Sequence, residues 1–434
     1  MLIEFTIENF RSIKESTTFS MQTAPYLKRL KDSNTLLTEP INLLKSSIIF
    51  GANGSGKTNL IRAIETVRLL LLNYERKPMR TLNTLPFQPF KMIEGYEDSY
   101  TLFELTFYLK EDIYKYTIKY NDEKIYSEAL YLVREEDVTI FERDRNNNDD
   151  GYIYNLGEGI DDLKSKTRDT SPYLSVLADN NNKLAMDIVL WVLEDILIIG
   201  PNPNVGNYKS LLEKLEDKVI KNKLINFLKI ADFNIVDFEL RKRQEKFPAK
   251  YKEVLKILEI PEEEETLETI DLFTIYKKYN KNNVEDGYSY LDVDSYESRG
   301  TQKMIIISLI LIDAFENGKT IFIDEFDNAF HLEISQFLLK LFNSNLYNNN
   351  SQFIMNTHDL SLMDSNILRV DQVWFVEKDI ENKSEFYSLY DFNDTNKKAR
   401  SDMSYAKDYL KGKFGAVPII NESVLTTNIF NERE

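Results

Sequence analysis

The segment "GANGSGKT" (Gly51–Thr58) constrains this chain more tightly than its length or composition. It follows the apolar run "SSIIF" (Ser46–Phe50) and precedes "NLIRAIETVRLLLL". In the latter, Leu60, Ile61, Ile64, Val67 and Leu70–Leu72 recur at helical spacing. The order is therefore strand, glycine-rich turn, helix. Glycines at 51, 54 and 56 let backbone N–H groups turn inward around phosphate oxygens, and the helix start adds the positive end of its dipole. Gly51, Asn53, Gly54, Ser55 and Gly56 are the expected cradle. Lys57 is expected to reach the β- and γ-phosphates, and Thr58 to hold Mg²⁺. A ligand-free turn between strand and helix is the bland alternative. A phosphate loop of this kind sits in an α/β sheet, which the alternation of strand and helix patterns in the last third also predicts.

Two later strands supply the partners such a loop needs. "TIFIDEFD" (Thr320–Asp327) is an apolar strand ending in carboxylates. Asp324 is placed for the Mg²⁺ shell and Glu325 for polarising an attacking water. "QFIMNTHDL" (Gln352–Leu360) is a second apolar strand, and at its end stands His358, one of two histidines in the chain. His358 suits a sensor of the γ-phosphate. His331 fits a helix start as well as a functional role. There is no "NKxD" base-reading motif, so ATP is expected rather than GTP.

"SYESRGTQKM" (Ser295–Met304) opens into the apolar run Met304–Ile312, read here as a buried helix. Ser298 and Gly300 offer a hydroxyl and backbone N–H groups at a helix start, a second anion-binding turn. No second nucleotide motif accompanies it. A two-fold dimer resolves this, with each chain's turn closing on the γ-phosphate held by the other.

Composition sets limits around this reading. The net charge is −17, so a nucleic-acid contact has to be local. The best candidate is "RKRQEKFPAKYK" (Arg241–Lys252), with Phe247 and Tyr251 interleaved, although such a run is more often one solvated face of a loop or helix. The chain has no Cys, which fits a reducing, cytoplasmic setting. Its N-terminus lacks a signal-peptide pattern, and no apolar window is long enough to span a membrane. Aromatic and β-branched runs from Tyr100 to Tyr154 read as antiparallel strands, with the stripes between Phe103 and Phe141 as core packing. Residues 1–165 are expected to form the first part of an ATPase head and 166–289 a mainly helical insertion. Residues 290–434 should complete the head, with a frayed tail after Ser423.

The order phosphate loop, Ser-x-Gly turn, acidic pair, His resembles the ABC-type ATPase heads of the RecF, SMC and OLD proteins. "IENFRSI" (Ile7–Ile13) is similar to the opening of RecF- and SMC-type heads. Arg299 departs from the "SGGQ" usual at the signature turn, which speaks against a transporter ATPase more than against a RecF-type head. "LPFQPFKM" (Leu85–Met92), "DQVWFVEKD" (Asp371–Asp379), "YSLYDF" (Tyr387–Phe392) and "YLKGKFGAVP" (Tyr409–Pro418) resemble the RloA/AbiL type, AAA-family proteins with ABC-type heads. The resemblance implies an ABC-type head with an antiparallel β subdomain and an insertion between P-loop and signature. It further implies ATP hydrolysis with Mg²⁺, a nucleotide-sandwich homodimer or higher oligomer, and a regulatory role in bacterial anti-phage abortive infection. The effector would be a separate, nuclease-like protein from the same locus. Gln88 would take the Q-loop role near Mg²⁺, or is a plain loop residue.

Two rivals remain. An OLD-like internal nuclease would use Glu377, but an Asp-x-Asp is missing after it; Asp292–Asp294 has the spacing yet precedes the signature turn. A RecF-like DNA-repair ATPase would share every ATPase residue.

Overall fold

The computed structural model describes residues 1–72, 84–145, 151–201, 203, 205–246, 266–327, 330–393 and 404–418. Two large sheets carry the fold. The six-stranded sheet runs in the order Ile196–Ile199, Thr320–Ile323, Gln352–Asn356, Ser46–Phe50, Val373–Lys378, Ser384–Ser388. Its first five strands are parallel and the last is antiparallel. Parallel strands buried on both faces need apolar residues on both sides, and the sequence supplies them. Ile48, Phe50, Ile321, Ile323, Phe353 and Met355 point into one core; Ile49, Phe322 and Ile354 point into the other.

The first core lies under the helix Arg299–Asn317, joined by Lys218–Ile230, Leu332–Phe342 and Tyr405–Leu410. The run Met304–Ile312 is helical, as its place after the turn suggests. Ser298 caps this helix, its side chain accepting from the Thr301 N–H at 3.1 Å, and Gly318 ends it at φ +72°. The second core lies between the parallel sheet, the helix Thr58–Leu72 and a seven-stranded antiparallel sheet. That sheet begins with Leu2–Glu8 and Thr17–Ser20 and continues through the strands from Thr101 to Leu156. Phe103, Phe107, Tyr116, Tyr120 and Phe141 are buried in it, so the aromatic stripes are core. The architecture is α/β with an antiparallel β subdomain.

The expectation of a mainly helical insertion over 166–289 needs correction. Ile196–Ile199 is a strand of the parallel sheet, paired with Thr320–Ile323. A four-residue apolar run has no period of its own, so only its distant partner decides between strand and helix. Helices Tyr173–Asp179 and Lys183–Leu190 pack into the second core rather than forming a lobe. Asp237–Lys246, Thr266–Tyr279 and Glu285–Asp292 form a three-stranded antiparallel sheet. Two of these strands are rich in charge, and this hides their alternation; Phe238, Leu272 and Ile270 mark the buried face.

Candidate active site

The loop after Ser46–Phe50 is shaped by glycine where a side chain has no room. A Cβ on Gly56 would lie 2.3 Å from Ser384 Oγ and 2.7 Å from Ser12 Oγ, at a backbone φ of +106°. A Cβ on Gly51 would lie 2.3 Å from the Val376 carbonyl oxygen. Ser12 and Ser384 hydrogen-bond each other, Asn59 donates to Ser12, and Ser384 donates to the Ser55 carbonyl. The loop is thus braced from the N-terminal turn and from the C-terminal strand at once. Sequence reasoning missed both serines, although Ser12 lies inside "IENFRSI".

Beside the loop opens a cavity of about 1180 Å³. Asn53, Gly54, Gly56, Lys57 and Thr58 line it, together with Gln88, Glu325, Asn356 and His358. Lys57 is 6 % exposed and donates to the carbonyl oxygens of Gly51 (2.9 Å) and Ala52 (3.0 Å). Burial lowers its pKa to about 8 against the opposing pull of Asp324, Asp327 and Glu325. Thr58 Oγ1 donates to Asp324 Oδ1 at 3.0 Å. The Nδ1 of His358 is 3.5 Å from Lys57 Nζ; burial and then the lysine charge hold this imidazole below its usual pKa. Asp327 accepts from Thr357 Oγ1 and from the His358 N–H, fixing the strand end that carries the histidine.

The donor set fits a nucleoside triphosphate and Mg²⁺. Ser55 is buried, and its Oγ has no hydrogen-bond partner among the described residues. An orphaned donor inside a loop kept open by glycines suits a phosphate oxygen. Thr58 Oγ1 and Asp324 Oδ1 are two hard oxygens that would hold Mg²⁺ and let it neutralise phosphate charge.

The structure brings together P-loop, Asp324, Glu325, His358 and Gln88. Gln88 reaches the cavity because its carbonyl accepts from the N–H of Arg11, itself in the N-terminal turn at φ +54°. It does not bring Ser298 and Gly300 into the lining. Their turn is anchored elsewhere: Glu297 accepts from Thr274 Oγ1 and Tyr276 OH, and Gln302 donates to the Val293 carbonyl. His331 is a helix cap, its Nδ1 accepting from the Glu333 N–H. Asp292 caps the short helix Val293–Tyr296, and Asp294 accepts from the Val205 N–H, so both carboxylates have structural partners.

A family model described as "AAA domain, putative AbiEii toxin, Type IV TA system" matches residues 46–364. The chain belongs to this family. The matched segment starts at the strand feeding the AAA P-loop and ends just after His358. Among solved structures, the SMC head domain from Thermotoga maritima is similar at 12% identity and a TM-score of 0.37, covering 89% of this chain and 98% of that one. The SmcHead bound to the C-winged helix domain of ScpA is similar at 13% identity and a TM-score of 0.40, covering 89% and 97%. No curated protein matches.

In this AAA-family chain the basic patch is not bare. Arg241 pairs with Glu239, Lys242 with Glu216 and Arg243 with Asp271. Phe247, Tyr251 and the tail after Ser423 lie outside the described residues. No helix among the described residues is long and apolar enough to cross a membrane.

Proposed function

We propose that this AAA-family chain hydrolyses ATP to ADP and phosphate as a homodimer, with the site completed across the dimer. One observation supports it above all. Lys57, Thr58, Glu325 and His358 line a single cavity from three strand ends of one parallel sheet, and Asp324 stands behind it, bonded to Thr58.

Lys57 exchanges its two carbonyl partners for β- and γ-phosphate oxygens, and the loop N–H groups with Ser55 take the remaining charge. Mg²⁺, when bound, neutralises charge on the phosphates. Glu325 accepts a proton from the attacking water as the new oxygen–phosphorus bond forms and the bridging bond to ADP breaks. His358 offers a hydrogen bond to the γ-phosphate. Ser298 and Gly300 approach that phosphate from the partner copy.

In biological terms we assign the ATPase to a bacterial abortive-infection system. It would act as the regulatory engine of a separate, nuclease-like effector from the same locus. The family's description, "AAA domain, putative AbiEii toxin, Type IV TA system", supports the abortive-infection setting, and the RloA/AbiL-like segments support the separate effector.

The catalytic reading is tested by ATP turnover and light-scattering mass of wild type and Glu325→Gln. The variant is expected to bind ATP, not turn it over, and accumulate as a dimer. Wild-type turnover in Glu325→Gln rejects the assignment. The biological reading is tested by expressing the chain with and without its neighbouring genes. Growth arrest is expected only with the effector, and nuclease activity from the purified chain alone would reject it.

A further inference from the structure

Glu325 occupies a backbone position that a glutamate does not choose. Its φ is +49°, the left-handed region that residues other than Gly, Asn and Asp seldom adopt. Both of its backbone polar groups are held by side chains from other elements. Its N–H donates to Asn356 Oδ1 at 2.6 Å, and its carbonyl accepts from Lys303 Nζ at 2.5 Å. Asn356 and Lys303 are each 1 % exposed, so water competes weakly for either bond.

The Asn356 amide is used twice. Its Nδ2 donates to Asp324 Oδ1 at 2.6 Å while its Oδ1 receives Glu325. One side chain thereby fixes the carboxylate suited to Mg²⁺ and the residue suited to activating water. Lys303 lies on the helix Arg299–Asn317, three positions after Gly300, with its ammonium over the Phe330 ring. Burying an ammonium there is costly, and a Met or Leu would fill the same volume without that cost. Its place is explained by the carbonyl it holds and by the acidic strand end beside it.

We propose that Asn356 and Lys303 are positioning residues for hydrolysis, clamping Glu325 in the left-handed conformation from which its side chain lines the cavity. This rests on Glu325 being the residue that activates water. A left-handed glutamate released from such a clamp relaxes toward ordinary backbone wells, and its carboxylate moves with it. A general base has to stay within hydrogen-bond reach of the water it deprotonates. The clamp affects placement of the base rather than grip on the nucleotide, so its loss falls on kcat.

The test uses the full chain, with steady-state ATP turnover, binding of a fluorescent ATP analogue and thermal melting on each variant. Asn356→Leu removes both bonds while filling the space. It is expected to lower kcat by about 100-fold, the scale of a misplaced catalytic group, with analogue affinity measured without Mg²⁺ near wild type, because the lost bond to Asp324 bears on the metal and not on the phosphate loop. Lys303→Met is expected to fall in the same direction by less. Lys303→Arg is expected to recover most of that loss, because a guanidinium N–H can donate to the same carbonyl. A merely structural role would lower melting temperature and analogue affinity together with kcat, without rescue by arginine, and that pattern overturns the clamp. If Glu325→Gln is inactive while Asn356→Leu and Lys303→Met turn over like wild type, the clamp is overturned and the catalytic reading stands. If Glu325→Gln is as active as wild type, both fall. Should Asn356→Leu fail to fold, the Lys303→Met and Lys303→Arg pair decides alone.

Discussion

Two short turns in this chain contain glycine and open a helix, yet they treat their polar groups differently. In Gly51–Thr58, Ser55 Oγ is buried with no hydrogen-bond partner among the described residues, and the Lys57 ammonium rests on two carbonyls of its own loop. In Ser298–Gly300 the serine hydroxyl caps its own helix, meeting both the N–H and the hydroxyl of Thr301. The first turn faces the cavity; the second is not part of its lining. A turn that binds phosphate within one chain carries unsatisfied donors in advance, held by surrounding structure. A turn that can satisfy itself folds without a ligand and meets one only when something brings it there. On the proposed reading, a second copy does so.

The largest expected effects fall on the first turn and the strand ends opposite it. Lys57→Ala should weaken ATP binding by about 100-fold, the scale of losing a charge-assisted bond to phosphate. Glu325→Gln should leave binding intact and lower turnover by about 1000-fold, as for loss of a general base. Equilibrium binding and phosphate release separate the two. Equal ATP binding in both variants would remove the contrast between loop and strand end.

Next comes the second turn. Ser298→Arg should bind ATP normally and hydrolyse none, because the added bulk blocks the far side of the γ-phosphate. Co-expressed in equal amounts with Lys57→Ala, it should recover about a quarter of wild-type turnover. Half the dimers would be mixed, each with one competent site. Turnover that stays at the level of the separate variants would place the whole site in one chain.

A smaller effect tests how the first turn is held. Gly56→Ala should destabilise the chain by about 2 kcal/mol, the scale of a strained backbone position. The cause is a Cβ 2.3 Å from Ser384 Oγ at φ +106°. Thermal melting checks this, and an unchanged melting temperature would show that the Ser12–Ser384 brace does not fix the loop.

The smallest effect concerns His358. Burial and Lys57 lower its pKa from the usual 6.5, so the unfolded chain binds more protons than the folded one as pH falls through that value. The stability tied to the neutral imidazole is full above pH 6.5 and is lost below it. Wild type should lose melting temperature relative to His358→Gln between pH 7 and pH 5.5. A constant difference would mean that the fold, by burial and then by Lys57, does not lower the His358 pKa.

Much of the site could be read from consecutive residues. Gly51–Thr58 states its turn, its cation and its helix start in one stretch, and Asp324, Glu325 and His358 follow apolar strands that could end only at a sheet edge. Asn356 and Lys303 could not be read this way. An Asn near the end of an apolar strand and a Lys in the first turns of an amphipathic helix are ordinary locally. In the three-stranded sheet from Asp237 to Asp292 the middle strand is legible in "IDLFTIYKKYN" (Ile270–Asn280), but its two neighbours stayed hidden because charged residues alternate with few apolar ones, and Ile196–Ile199 because four apolar residues carry no period.

The sequence by itself determined the phosphate-binding turn, the buried helix after Gly300 and the carboxylates at a strand end. Each depends on φ/ψ preferences and spacing among near neighbours. Tertiary structure decided that Thr58 meets Asp324, 266 positions away, that Ser12 and Ser384 close on Gly56, and that Asn356 and Lys303 grip Glu325. Those contacts depend on the order in which distant strands enter the parallel sheet, and that order is set by burying two apolar faces at once, which no local stretch encodes.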